Sequence, residues 1–175
     1  MTIPTWSVRR LHALDDAQID QLADVLRDCV EGGASVSFMR PLTHERAVAF
    51  WRGVAQSVAA GDRALLVAED GHGICGTVHL VLSQPENQPH RAELSKMLVH
   101  RRARCKGVGA ALLRAAEDTA RECEKSLLVL DTASDEAERL YERQGWTRVG
   151  VIPGYALLPE GGLCATTLYY RNLGA

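Results

Sequence analysis

No stretch of this 175-residue chain is apolar for long enough to span a bilayer, and its N-terminus lacks the apolar core of a signal peptide. A membrane-spanning or secreted protein is therefore not expected, and the cytoplasm is the default location. The five cysteines (Cys29, Cys75, Cys105, Cys123, Cys164) are odd in number, scattered, and include no Cys-x-x-Cys pair, which argues against both a disulfide framework and a zinc site. The six histidines contain no His-Glu-x-x-His or other close ligand spacing, so no metal is expected. A formal net charge of −2 gives no general attraction to nucleic acid or anionic lipid. There are no repeats, no low-complexity tract and no linker. A chain of 175 residues suffices for one domain, 1–175, burying about 70% of its unfolded surface.

Against this slightly acidic background one basic cluster stands out. Residues 91–123 read as a strand, a turn carrying Arg101, Arg102, Arg104 and Lys106, and a helix beginning at Gly107. Strict alternation along the strand puts Glu93, Ser95, Met97 and Val99 on one face, with Leu94, Lys96 and Leu98 on the other. After Gly107 the spacing changes: Val108, Ala111, Leu112, Ala115, Thr119, Ala120 and Cys123 form one helical face. A helix N-terminus presents unpaired N–H groups and a partial positive charge, which together favour a phosphate. Gly107 and Gly109 would let backbone approach such a ligand. A Walker loop requires Gly-Lys-Ser/Thr, but Lys106 precedes Gly107 and Val108 follows it. A dinucleotide fingerprint requires a third glycine where Leu112 stands.

The segment Arg104-Cys105-Lys106-Gly107-Val108-Gly109, following a strand that ends Met97-Leu98-Val99, resembles the acetyl-CoA-binding signature of the GNAT N-acetyltransferases. The rest of the chain is similar to that family in its order of elements. Strands are expected at 7–11, 63–69, 74–83, 91–99, 127–130, 146–152 and 164–170, and helices at 15–30, 43–61, 107–123 and 134–144. The expected fold class is mixed α/β, β-α-α-β-β-β-α-β-α-β-β, with a partly antiparallel sheet flanked by helices. Phrases at 32–39 (GGASVSFM), 91–93 (RAE), 130–132 (LDT) and 148–155 (RVGVIPGY) resemble the tabtoxin-resistance branch of the family.

The resemblance implies roles for named residues. Met97, Leu98 and Val99 would hold the pantetheine arm and thioester through backbone hydrogen bonds. Backbone N–H groups of Cys105, Lys106, Gly107, Val108, Gly109 and Ala110 would hold the pyrophosphate, with Arg104 closing over it. Arg101, Arg102 and Lys106 are candidates for the 3′-phosphate. Ser134 stands where relatives carry a cofactor-binding asparagine. Tyr141 would protonate or hydrogen-bond the leaving thiolate. Cys105 replaces a common glycine, a substitution tolerable only at negative φ.

An amine is mostly protonated in neutral water, so acetyl transfer needs a base. Glu93, near the expected divergence of two strands, is the first choice, the alternatives being an exposed carboxylate or a salt bridge to Arg91. Asp131, at the end of the 127–130 run, could share that role or bind the ammonium; alternatively it caps the next helix. Residues 32–42 are expected to line the acceptor site, with Ser35, Phe38 and Met39 as candidate contacts. The expected activity is acetyl-CoA-dependent acetylation of a small-molecule amine, with an amino-acid-like toxin or antibiotic as one class of acceptor. The alternatives are a protein or peptide N-acetyltransferase and a non-catalytic acyl-CoA sensor. A thiol at Cys105 among cations would also suit a redox sensor, though no resolving cysteine accompanies it. No nucleic-acid partner is expected, because no aromatics interleave the basic turn. The expected assembly is a monomer or homodimer.

Overall fold

The computed structural model describes residues 5–174. Its strands are β1 (Trp6–Leu11), β2 (Arg63–Asp70), β3 (Gly73–Val81), β4 (Arg91–Val99), β5 (Leu127–Thr132), β6 (Thr147–Leu157) and β7 (Leu163–Asn172). Its α-helices are α1 (Asp16–Glu31), α2 (His44–Ala59), α3 (Val108–Glu122) and α4 (Asp135–Arg143), with one 3-10 turn at Arg101–Ala103. This is the expected mixed α/β order. The last two strands extend beyond their expected bounds, because β6 and β7 pair on through Ala156–Cys164 and Leu157–Leu163, and the end of β7 pairs with β5 at Arg171 and Asn172.

The strands form one seven-stranded sheet in the order β1-β2-β3-β4-β5-β7-β6. All neighbours are antiparallel except β4 and β5, which run parallel. Helices α1 and α2 cover one face, packing Leu22, Leu26, Trp51 and Val54 onto Leu65, Val67 and Leu98. Helices α3 and α4 cover the other, packing Leu112, Leu113, Ala116 and Tyr141 onto Leu66, Val78, Leu94 and Leu128.

Local signals account for the helix starts. Asp15 and Gln18 form a reciprocal capping box at α1, Thr43 accepts from the Arg46 N–H at α2, and Ser134 accepts from the Ala137 N–H at α4. Helix α3 is the exception. Its N-cap is Gly107, at φ 81°, and no side chain caps it.

One expectation for β4 fails. Thr77 pairs with Leu98 but His79 pairs with Ser95, so β4 carries one extra residue opposite Val78. The extra residue centres on Lys96, whose φ is 52°. Ala92 and Leu94 enter the α3 core, Leu98 enters the α1–α2 core, and Met97 and Val99 pack on the α3 side. Glu93 and Ser95 therefore lie on the face opposite Met97 and Val99, not beside them, because a single bulged residue reverses the alternation beyond it.

Candidate functional site

Strands β4 and β5 pair only at Arg91 with Leu127, Ala92 with Leu128, and Glu93 with Val129. Beyond Glu93 they part, and β5 continues to pair with β7 alone. The fork opens a cleft of about 1380 Å³ that reaches from the N-terminus of α3 to the segment joining α1 and α2. Met97, Leu98 and Val99 lie along the wall that β5 has left. Backbone groups on that edge have no strand partner and can bond an extended ligand.

At one end the uncapped start of α3 lines the cleft with Gly107, Val108, Gly109 and Ala110. The first helical bond there runs from the Ala111 N–H to the Gly107 carbonyl, leaving the preceding N–H groups free of backbone partners. Gly109 has a packing role as well. A Cβ on it would meet Leu140 Cδ2 at 3.3 Å, so glycine lets α4 approach α3. Cys105 also lines the cleft, at φ 58°. The expectation of negative φ is thus corrected: the cysteine occupies the left-handed conformation that a glycine would adopt without steric cost.

The basic turn does not act as a unit. Arg101 is bound to Asp28, with its backbone N–H at 2.9 Å from Oδ2. Arg102 forks onto Asp70 at 3.1 and 3.3 Å and donates to the Ile74 carbonyl at 3.0 Å. Arg104 lines the cleft but donates to the Val99 carbonyl at 3.1 Å. Lys106 is exposed and forms no ion pair among the described residues, although it does not itself line the cleft. Arg139 and Arg143, one turn apart on α4, do line it and are likewise without ion-pair partners among the described residues. Sequence reasoning missed them; their spacing around Tyr141 was the available signal.

Glu93 lies at the fork, exposed, and forms no hydrogen bond or ion pair among the described residues. Arg91 turns to Gln88 instead, at 2.8 and 2.5 Å, which removes the salt-bridge alternative. Asp131 lines the cleft from β5, and its Oδ2 accepts from Thr166 Oγ1 at 2.7 Å. It does not cap α4, since Ser134 does so and commits its hydroxyl to the Ala137 N–H at 3.3 Å. The Tyr141 ring is buried against Trp146 and Tyr169. Its hydroxyl has no hydrogen-bond partner among the described residues. Burial first, and then the negative charge of Asp131, raise its pKa, so it carries a proton at neutral pH.

At the far end, Ser35, Phe38 and Met39 all line the cleft. Ser35 Oγ donates to the Leu157 carbonyl at 3.3 Å, and Phe38 stacks edge-on against Phe50 at 5.3 Å. Sequence reasoning also missed Lys96. Its Nζ lies 3.2 Å from Ser37 Oγ and 5.8 Å from the Phe50 ring centroid. Strict alternation had assigned it to the opposite side. Among the described residues no cluster of His, Cys, Asp and Glu is placed to hold a metal ion, and no helix is long and apolar enough to cross a membrane.

Comparison with known proteins bears on this geometry. The model of the Acetyltransferase (GNAT) family matches residues 19–146. An uncharacterized N-acetyltransferase of Azospirillum brasilense is 30% identical over 127 residues, covering 71% of this chain and 74% of the relative. Similar solved folds include yncA of Salmonella typhimurium with acetyl-CoA, at TM-score 0.77 and 21% identity, covering 97% of this chain and 95% of that one. A phosphinothricin acetyltransferase of Sinorhizobium meliloti in complex with acetyl-CoA superposes at TM-score 0.78 and 19% identity, covering 97% and 89%. A ribosomal-protein-alanine N-acetyltransferase of Brucella melitensis does so at TM-score 0.79 and 22% identity, covering 95% and 99%.

Proposed function

The chain belongs to the GNAT family of acetyltransferases and uses acetyl-CoA as co-substrate, and from that premise we propose that it acetylates the amine of a small, amino-acid-like molecule at the fork between β4 and β5. The observation that carries this reading is the unpaired carboxylate of Glu93, in the same cleft as the uncapped start of α3 and the protonated Tyr141.

The co-substrate supplies an activated acetyl group on a thioester. The N–H groups opening α3 favour its diphosphate, and the unpaired edge of β4 suits its extended arm. Glu93 takes the proton from the attacking amine, directly or through one water. Asp131, fixed by Thr166, attracts the ammonium form to the fork. Tyr141 gives its proton to the departing sulfur. Gly107 rather than a capping side chain at the start of α3 supports the reading, since a serine or aspartate there would compete for the same N–H groups.

Within this class, the phrases at 32–39 and 148–155 support an amino-acid-like toxin of the tabtoxin type as acceptor. The test is thiol release from acetyl-CoA with amino acids, dipeptides, polyamines, aminoglycosides and an alanine-terminated peptide. We expect release with at least one small amine and a loss of about 10²–10⁴-fold in kcat for Glu93→Gln, with acetyl-CoA still bound. Tight acetyl-CoA binding without release for any amine would leave a sensor, and release with the peptide alone would leave a protein acetyltransferase.

A further inference from the structure

Lys96 in the cleft and Arg63 near it both lack anionic partners among the described residues. Lys96 lines the cleft, and among the described residues its amine donates only to Ser37 Oγ, at 3.2 Å. Arg63, on β2 and outside the cleft lining, donates to Nε2 of the buried His79 at 3.0 Å. Neither cation forms an ion pair among the described residues, although other arginines there do, such as Arg9 with Glu69 and Arg102 with Asp70. His79 cannot neutralise Arg63: its Nε2 accepts, so the ring is neutral, with its proton on the unpartnered Nδ1. Burial first, and then the charge of Arg63, hold the Lys96 pKa below its ordinary value. Positive charge left half-buried in this way is costly unless an anion completes it.

The backbone is bent to put Lys96 there. Continued alternation from Leu94 would send it to the α3 face, away from the acceptor end. The left-handed conformation at Lys96, φ 52°, turns its side chain to Ser37 and Phe50 instead. Ser37 is itself left-handed, at φ 78°. Two strained non-glycine residues, one on β4 and one on the α1–α2 segment, thus meet through their side chains across the cleft. Strain of this kind persists where the surrounding structure holds it, commonly at ligand clamps. Glu93 and Asp131 supply negative charge in the same cleft, and both draw on Lys96 without pairing with it.

We infer that Lys96, backed by Arg63, binds the anionic group of the acceptor, so that the site selects amines that also carry a carboxylate or similar anion. In this arrangement the acceptor ammonium faces Glu93 and Asp131 while its anionic group meets the Lys96 amine, which lies over the Phe50 ring. The inference rests on the proposed acceptor site and assigns its substrate class to one residue.

The test is calorimetric binding to the protein–coenzyme A complex of three matched pairs: L-methionine and 3-(methylthio)propylamine, L-phenylalanine and phenethylamine, L-ornithine and putrescine. We expect at least one amino acid to bind about 10-fold or more tightly than its decarboxylated partner, as a charge-assisted contact would provide. Lys96→Met should close that gap by weakening the acid, and Lys96→Arg should restore part of it. Retained coenzyme A affinity reports that the variant is folded. Lys96→Asn, which tolerates left-handed backbone, serves where the methionine variant is unstable. Equal affinity within every pair, no binding by any amino acid, or a gap that survives Lys96→Met would each overturn the inference. Selective binding of an amino acid that is never acetylated would overturn the proposed transfer while leaving the role of Lys96 in place.

Discussion

Acidification reads His79 directly. The ring is 1% exposed, accepts from Arg63 Nη1 through Nε2, and packs near Trp51. Burial, then the charges of Arg63 and Lys96, push its pKa down from 6.5 to about 3. Between those values the unfolded chain binds a proton at this position that the folded chain refuses. Stability is therefore unaffected by His79 above pH 6.5, falls as the pH drops below it, and levels off near pH 3. At about pH 4.5 two pH units separate the solution from the ordinary value, and at 1.36 kcal/mol per unit the loss is about 2.7 kcal/mol. That is a large share of the roughly 5–15 kcal/mol that holds a domain together. Urea unfolding of the native protein and of His79→Gln, at about pH 7.5 and again at about pH 4.5, isolates the contribution. The glutamine carbonyl can still accept from Arg63 but cannot titrate, and the remaining histidines cancel in the comparison. The native protein should lose about 2–3 kcal/mol more than the variant on acidification. Parallel losses, within about 0.5 kcal/mol, would refute the claim that His79 is held neutral.

Three further outcomes are expected. Tyr141→Phe should lower kcat by about 10²-fold with little change in acetyl-CoA affinity, and because its pKa is raised, steady-state rates of the native enzyme should show no loss from tyrosine ionisation near pH 10. Lys106→Gln should weaken coenzyme A by about fivefold, the scale of one exposed charge contact of about 1 kcal/mol, and leave dephospho-coenzyme A unaffected in fluorescence titration. Cys105→Gly should stabilise the protein by about 1 kcal/mol in denaturant unfolding, since relief of the left-handed strain at φ 58° exceeds the added chain entropy of glycine.

Much of the site could be read in the sequence because its signals are local. The spacing around Gly107 marks a helix start, and the absence of a capping side chain before Val108 is itself a feature of the sequence. The divergence of the strand near Glu93 is an expectation that comes with the family resemblance, and β4 and β5 do part immediately after Glu93. The fate of the arginines could not be read in the same way. Arg101 meets Asp28, 73 residues earlier in the chain, and Arg102 meets Asp70, 32 earlier. No local pattern separates them from Lys106, which forms no ion pair among the described residues.

The sequence by itself determined which segments become strands and helices and where the uncapped turn at Gly107 falls, because periodicity, capping residues and left-handed glycines act over a few neighbouring positions. Only the tertiary structure decided which face Met97 and Lys96 take, since the bulge in β4 exists through its pairing with β3 and reverses every side chain beyond it. The end of the cleft where Lys96 meets Ser37 and Phe50 is a product of that long-range pairing.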